Sequence, residues 1–349
     1  MSTQRRTITA FLAGLVGIIG ASLAASVAGA EPPDRLTNVN GTIWVANRLA
    51  AESTIRGFDA TTGDAVGTVS MASNSQPGDL AYAKGKLYVA EEFGTPPAIA
   101  IVDVTTGAVS RIPMASGARP HHVHASVGGS LVAFGLYGTD LVVVVDTRDD
   151  TLLGPWDTNP DSTNGRVHAG VFSKDGNALY LASDATNEVI ALDPRTGDIF
   201  WRMTVPGAHE LAVTHDGKRA YVSRRTQNKV SVINLESQTI IADIPLSVPD
   251  TLQLSANEKL LTVGLRAPAP APAQVAVVNT STMEVDTVTI GGMGTIAGHQ
   301  WTSPNGHYTF AAFEGPGAGI AVIEHEAGNA VIATLTYPGR PHGVDFAHP

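Results

Sequence analysis

The sequence predicts an all-β chain, a seven-bladed β-propeller of four-stranded blades, on three observations. The composition suits strands, a short apolar segment recurs at the spacing of one blade, and a column of polar residues keeps step with it. Of the 349 residues, 36 are Gly, 21 are Pro, 43% are apolar and only 15% are charged. That length can bury a sizeable core, and low charge with abundant turn formers favours strands over helices. The recurring segments begin at Ile43, Leu87, Leu131, Leu179, Ala220, Leu261 and Tyr308, at intervals of 44, 44, 48, 41, 41 and 47 residues. Such a period marks a propeller blade of four strands.

The second column lies 14 to 18 residues after each segment start: Asp59, Asp103, Asp146, Asp193, Asn234, Asn279 and Glu324. Four members are followed four residues later by Gly63, Gly107, Gly197 and Gly328. A short polar side chain accepts from turn N–H groups while Gly takes positive φ, so this column reads as hairpin chemistry and not catalysis. A further strand per repeat ends in turns such as Ser173-Lys174-Asp175-Gly176. Each unit is therefore four strands, the first innermost. The chain enters at the second strand of blade 1, and residues 342–346 are expected to fill the vacant inner place, closing the ring and removing its open edges.

Residues 1–30 read as a signal peptide. Arg5 and Arg6 precede an apolar run over residues 11–28, and Ala28-Gly29-Ala30 supplies small residues for cleavage. The expected division is a leader over residues 1–30, a lead-in over 31–40 and one propeller domain over 41–349. The protein is expected to be secreted or periplasmic, exported by the general route or, given the Arg5-Arg6 pair, by the twin-arginine route. No stable membrane insertion is expected after cleavage. A formal net charge of −10 argues against a nucleic-acid partner, whose phosphates require Lys and Arg. The absence of Cys excludes disulfides, thiolate metal sites and Cys nucleophiles.

Leu87-Tyr88-Val89-Ala90, followed by Ile101-Val102-Asp103-Val104-Thr105-Thr106-Gly107, resembles the YVTN-type repeat, as does Ala220-Tyr221-Val222-Ser223 before Val230-Ser231-Val232-Ile233-Asn234. The resemblance covers the propeller and implies a seven-bladed, commonly exported protein. On one blade, Pro120-His121-His122-Val123-His124 and Gly138-Thr139-Asp140 resemble lactonase-type propellers.

Aligning the repeats on the start of the innermost strand gives a third column: Gly78, His121, His168, His209, Asp250, His299 and His342. Circular closure points such residues at one axis, at the mouth of the central channel. His121, His168, His209, Asp250, His299 and His342 are therefore candidate metal ligands, suited to Zn or Cu, since neutral imidazole is a common ligand of both. The blander alternative is a wet channel whose imidazoles bond water and backbone. The neighbouring loops add Arg48, Glu92, Tyr137, Arg224, Arg266 and Glu314 as candidate ligand-binding residues, with Glu91, Asp184 and Arg225 on the same rim. Three functions remain open. The first is an exported propeller binding a metal ion or small molecule. The second is a lactonase-like hydrolase or lyase using His121, His124 and Glu91 as acid–base groups. The third is a scaffold for a protein partner.

Two stretches look like motifs. Gly292-Met293-Gly294-Thr295-Ile296-Ala297 matches a dinucleotide-binding string, but it falls between two strands, and that chemistry needs a following helix. The alternating Ala-Pro run over residues 267–273 predicts either a stiff polyproline rim over the mouth or a plain spacer.

Overall fold

The computed structural model describes residue 36 and residues 39–159 and 166–348. The expected leader over residues 1–30 lies outside them. Among the described residues, seven four-stranded antiparallel sheets form seven blades. The innermost strands are Pro341–Ala347, Pro77–Ala83, Pro120–Ala125, Val167–Phe172, Ala208–Val213, Pro249–Leu254 and Ile296–Thr302, for blades 1 to 7 in that order. No helix among them is long and apolar enough to cross a membrane.

Ring closure follows the expected route. Pro341–Ala347 pairs antiparallel with Thr42–Asn47, Thr42 opposite Ala347 and Val45 opposite Val344, so blade 1 is built from both ends of the domain. Part of the lead-in packs beneath this seam. Leu36 and Val39 are buried with Phe58, Phe310 and Phe346, and Thr61 holds the backbone of both.

Exposure concentrates on the outermost strand of each blade, the one that faces water, while the inner strands are mostly buried. The second strand of blade 3, Leu131–Leu136, is buried along its whole length, whereas the outer strand Ala65–Ser70 is exposed at every other position or more. The polar column is hairpin chemistry. Asp59 Oδ1 accepts from the amides of Thr61 and Thr62, both at 2.8 Å, and Gly63 takes φ +76°. Asp103 and Asn279 do the same in their blades. The Ala-Pro run is not an extended rim: it turns back through an Ala271 amide to Pro268 carbonyl bond, and Pro272 already begins a strand.

One irregularity positions everything that follows. In each blade the pairing of the innermost strand slips near its start: between Pro77 and Leu80, Pro120 and Val123, Val167 and Ala169, Ala208 and Glu210, Pro249 and Leu252, and Ala297 and Gln300. The closing strand slips likewise against Val45 and Asn47. A bulge breaks strict alternation and re-aims side chains, so two consecutive residues can face the channel.

Candidate functional site at the channel mouth

The bulges bring the third column together. His121, His168, His209, Asp250, His299 and His342 line one cavity of about 210 Å³, with Arg48, Tyr137 and Arg266 at its rim. His122 lies at the centre of the group. Its ring centroid is 4.1 Å from that of His168, 4.6 Å from His299 and 4.5 Å from His121. His168 and His209 are closer still, at 3.6 Å. Two sets of potential ligand atoms lie within 4.8 Å of one another: His121, His122 and His168, and Asp79, His122 and His299. Asp79 fits there because its neighbour is Gly343, where a Cβ would meet the Asp79 Cα at 2.6 Å.

Burial keeps these imidazoles neutral. It pushes His122, His168 and His299 well below the ordinary histidine value, with the neighbouring rings adding to the effect. His209 and His342 are pushed to about 4, again by burial first. A neutral imidazole keeps the lone pair that coordination or proton abstraction requires.

Carboxylates and guanidiniums surround the rings. Glu92 Oε2 accepts from Arg48 Nη2 at 2.7 Å and stands 3.2 Å from His121 Nδ1, and its other oxygen accepts from Arg119. Burial would raise this carboxyl, but His121 and the two guanidiniums hold it at about 2. Asp250 stands 2.9 Å from His209 Nε2 and is flanked by Arg225 and by Arg266 at 3.3 Å. Glu314 Oε1 is 2.7 Å from His342 Nδ1, while its Oε2 takes Arg340 at 2.6 Å. Burial opposes ionisation there too, and His342 with Arg340 outweighs it, leaving Glu314 at about 2. Tyr137 donates to Asp184 Oδ2 at 3.2 Å and lies beneath Arg119 and Arg166.

Three candidates are elsewhere. Glu91 faces away from the channel: it accepts from the Ala72 amide at 2.9 Å and from Arg111 Nε at 2.8 Å, which fastens the outer part of blade 2. Arg224 is buried in its own blade, with Nε on the Pro206 carbonyl at 2.7 Å and Nη1 on Ser231 at 3.1 Å. Its neighbour Arg225 enters the mouth instead. His124 lines a different cavity, at the opposite end of the inner strands. Single-column alignment misses His122, Asp79 and Arg119, whereas Arg225 stands at the mouth as its place on the rim predicted. The Pro-His-His-Val-His run was the visible signal for His122, but only the bulge turns both histidines to one side.

A model of the lactonase family, described as a seven-bladed β-propeller, matches residues 81–288, more than half of the chain. The uncharacterized protein YncE of Salmonella typhi is 27% identical over 247 residues, 64% of this chain and 66% of its own length. Among solved structures, the periplasmic gluconolactonase PpgL of Pseudomonas aeruginosa superposes with a TM-score of 0.66 at 19% identity, covering 88% of this chain and 99% of that one. A protein of Lactobacillus plantarum superposes at 0.70 with 14% identity over the same shares. At such identities the structural likeness carries the fold, and the family match carries membership: the chain belongs to the lactonase family of seven-bladed β-propellers.

Proposed function

We propose that the propeller holds a divalent transition-metal ion, Zn or Cu, among the histidines of its channel mouth. The observation that carries this reading is His122, which belongs to both sets of converging ligand atoms. Buried His168 Nδ1 and His299 Nε2 meet no hydrogen-bonding protein atom. Leaving such an atom unsatisfied costs roughly 1–3 kcal/mol, which coordination would offset. Three protein ligands suffice for zinc with one position left open. Glu92 stands 3.2 Å from His121 Nδ1, near enough for the carboxylate to orient that imidazole once it ligates. Combined with the leader expected over residues 1–30, this describes an exported protein that sequesters or delivers the ion.

The test is elemental analysis of untagged protein, followed by titration with Zn and Cu(II) against a competing chelator. One ion per chain, lost in His122→Ala, supports the reading. Protein that carries no metal above background, and whose melting neither ion shifts, rules it out.

Family membership favours a second reading, hydrolysis of a lactone. A neutral channel imidazole would take a proton from water as it attacks the ring carbonyl. Arg48 and Arg119 would stabilise the oxyanion, and the ring oxygen would leave with a proton. Turnover of gluconolactone by chelator-treated protein, lost in His168→Ala, would favour it over the first.

A further inference from the structure

The central channel holds a second cavity, of about 290 Å³, at the end of the inner strands opposite the histidine mouth. His299 and Thr251 line both cavities, so the two meet inside the ring. Three carboxyl groups border the second one: Asp79 and Glu210, both buried, and half-buried Asp345. No Lys or Arg is among the described residues that line it.

Each acid staples its blade to the next. Asp345 Oδ2 accepts from the Tyr82 amide at 2.7 Å, Asp79 Oδ2 from the Val123 amide at 2.9 Å, and Glu210 from the Leu252 amide. A staple does not need a charge. Gln253 does the same work between blades 6 and 7, its amide oxygen accepting from the Thr302 amide at 2.5 Å. Three acids where an amide would serve are therefore unexplained by the fold. Burial first, and then one another's charge, push Asp79 and Glu210 well above the ordinary carboxyl range, with Arg48 and Arg225 opposing only in part, so a cation is what would hold them ionised. Buried charge without a counter-charge is costly. Glu210 Oε2 has no hydrogen-bonding partner and the residue is 1% exposed, and the buried Nε2 of His124 on the same wall is likewise without one.

We propose that this second cavity binds a hydrated divalent cation, with Asp79, Glu210 and Asp345 supplying the negative charge. Oxygen donors suit hard cations such as Mg²⁺, Mn²⁺ and Ca²⁺. The volume greatly exceeds a bare ion: at about 30 Å³ per water, the cavity accommodates a cation with its water shell. Carboxylates that hold such an ion partly through water need not converge as tightly as the histidines above. Glu210 and Asp345 line only the lower cavity, so the site does not depend on His168, although Asp79 also stands beside His122 and His299 of the mouth.

Mn²⁺ titration of the full chain, followed by electron paramagnetic resonance, tests this. Wild type and His168→Ala should each bind one Mn²⁺ per chain. Glu210→Gln and Asp345→Asn should each weaken binding about tenfold or more, since affinity follows ligand charge, and together they should abolish it. Both substitutions keep an oxygen for the staple, so melting in chelator should not fall. Absence of Mn²⁺ binding to wild type, binding unchanged in the double variant, or binding lost in His168→Ala overturns the proposal. If the double variant does not fold, wild type decides: Mn²⁺ should broaden the indole resonance of Trp301, which lines the cavity, more than that of Trp156, and equal broadening overturns it.

Discussion

His342 Nδ1 stands 2.7 Å from Glu314 Oε1, and the opposite nitrogen of the same ring lies 3.2 Å from Arg48 Nη1. Arg48 takes Nε2, and the Glu314 carboxylate stands close beside Nδ1 without a well-aligned hydrogen bond, so His342 is placed to brace the wall of the mouth. His122 differs: it sits between two ligand sets, and its Nδ1 is 3.6 Å from Asp79 Oδ2.

That contrast predicts unequal metal affinities. His122→Ala removes a shared ligand and should weaken Zn binding about 100-fold or more, whereas His342→Ala removes only an orienting neighbour and should cost about tenfold. Competition with a chromogenic chelator measures both. Equal losses would mean that His342 is itself a ligand.

The pH dependence follows from burial of the imidazoles. His209 and His342 titrate near 4 in the folded protein, against about 6.5 in an unfolded chain. Above 6.5 both states are neutral and the full stability is present. As pH falls from about 6.5 towards 4, the unfolded chain takes up protons that the folded one refuses, and stability is lost. His122, His168 and His299 act in the same direction. Asp345, raised to about 6 by burial, acts oppositely, as do Asp79 and Glu210, but the histidines outnumber them. Metal-free protein should therefore melt at a lower temperature near pH 5 than near pH 7. Differential scanning calorimetry across that range would show a flat or rising profile if the rings were solvated.

Arg225 and Arg224 are adjacent and should behave differently. Arg225→Ala uncovers Asp250 and His209, so the pKa of His209 should rise, visible in its ring resonances by NMR. Arg224→Ala breaks hydrogen bonds inside blade 5 and should lower stability by roughly 1–3 kcal/mol while metal affinity stays unchanged.

The closing strand should be a weak point. Phe346 is 4% exposed and stacks on Trp301 with ring centroids 4.3 Å apart. Phe346→Ala should destabilise the domain by about 3–5 kcal/mol in urea unfolding, the range for deleting a buried aromatic ring. A loss below about 1 kcal/mol would mean that the seam contributes little to stability.

The repeating fold was legible because it is local and periodic. Ile43, Leu87, Leu131 and their equivalents announce one strand per blade, and Asp59, Asp103 and Asn279 announce the hairpins, each within a few residues of its partner. The mouth was legible as a column, since His121, His168, His209, Asp250, His299 and His342 recur at matched positions. Glu91 and Arg224 show where such reasoning fails. Strand alternation and loop membership assign a residue to a face or an end of the ring, but not its partner: Arg111 draws Glu91 outwards, and Ser231 with the Pro206 carbonyl holds Arg224 in its blade.

Sequence by itself determined the blade count, the closure of the ring by its last strand and the histidine column, because repetition carries that information along the chain. Only the tertiary structure decided which side chains share a cavity. The bulge at the start of each inner strand turns His122 and Asp79 towards the axis, and circular closure sets Asp345 near Asp79 although they are far apart in sequence. Such contacts depend on how seven sheets pack around one axis, and no local pattern encodes that.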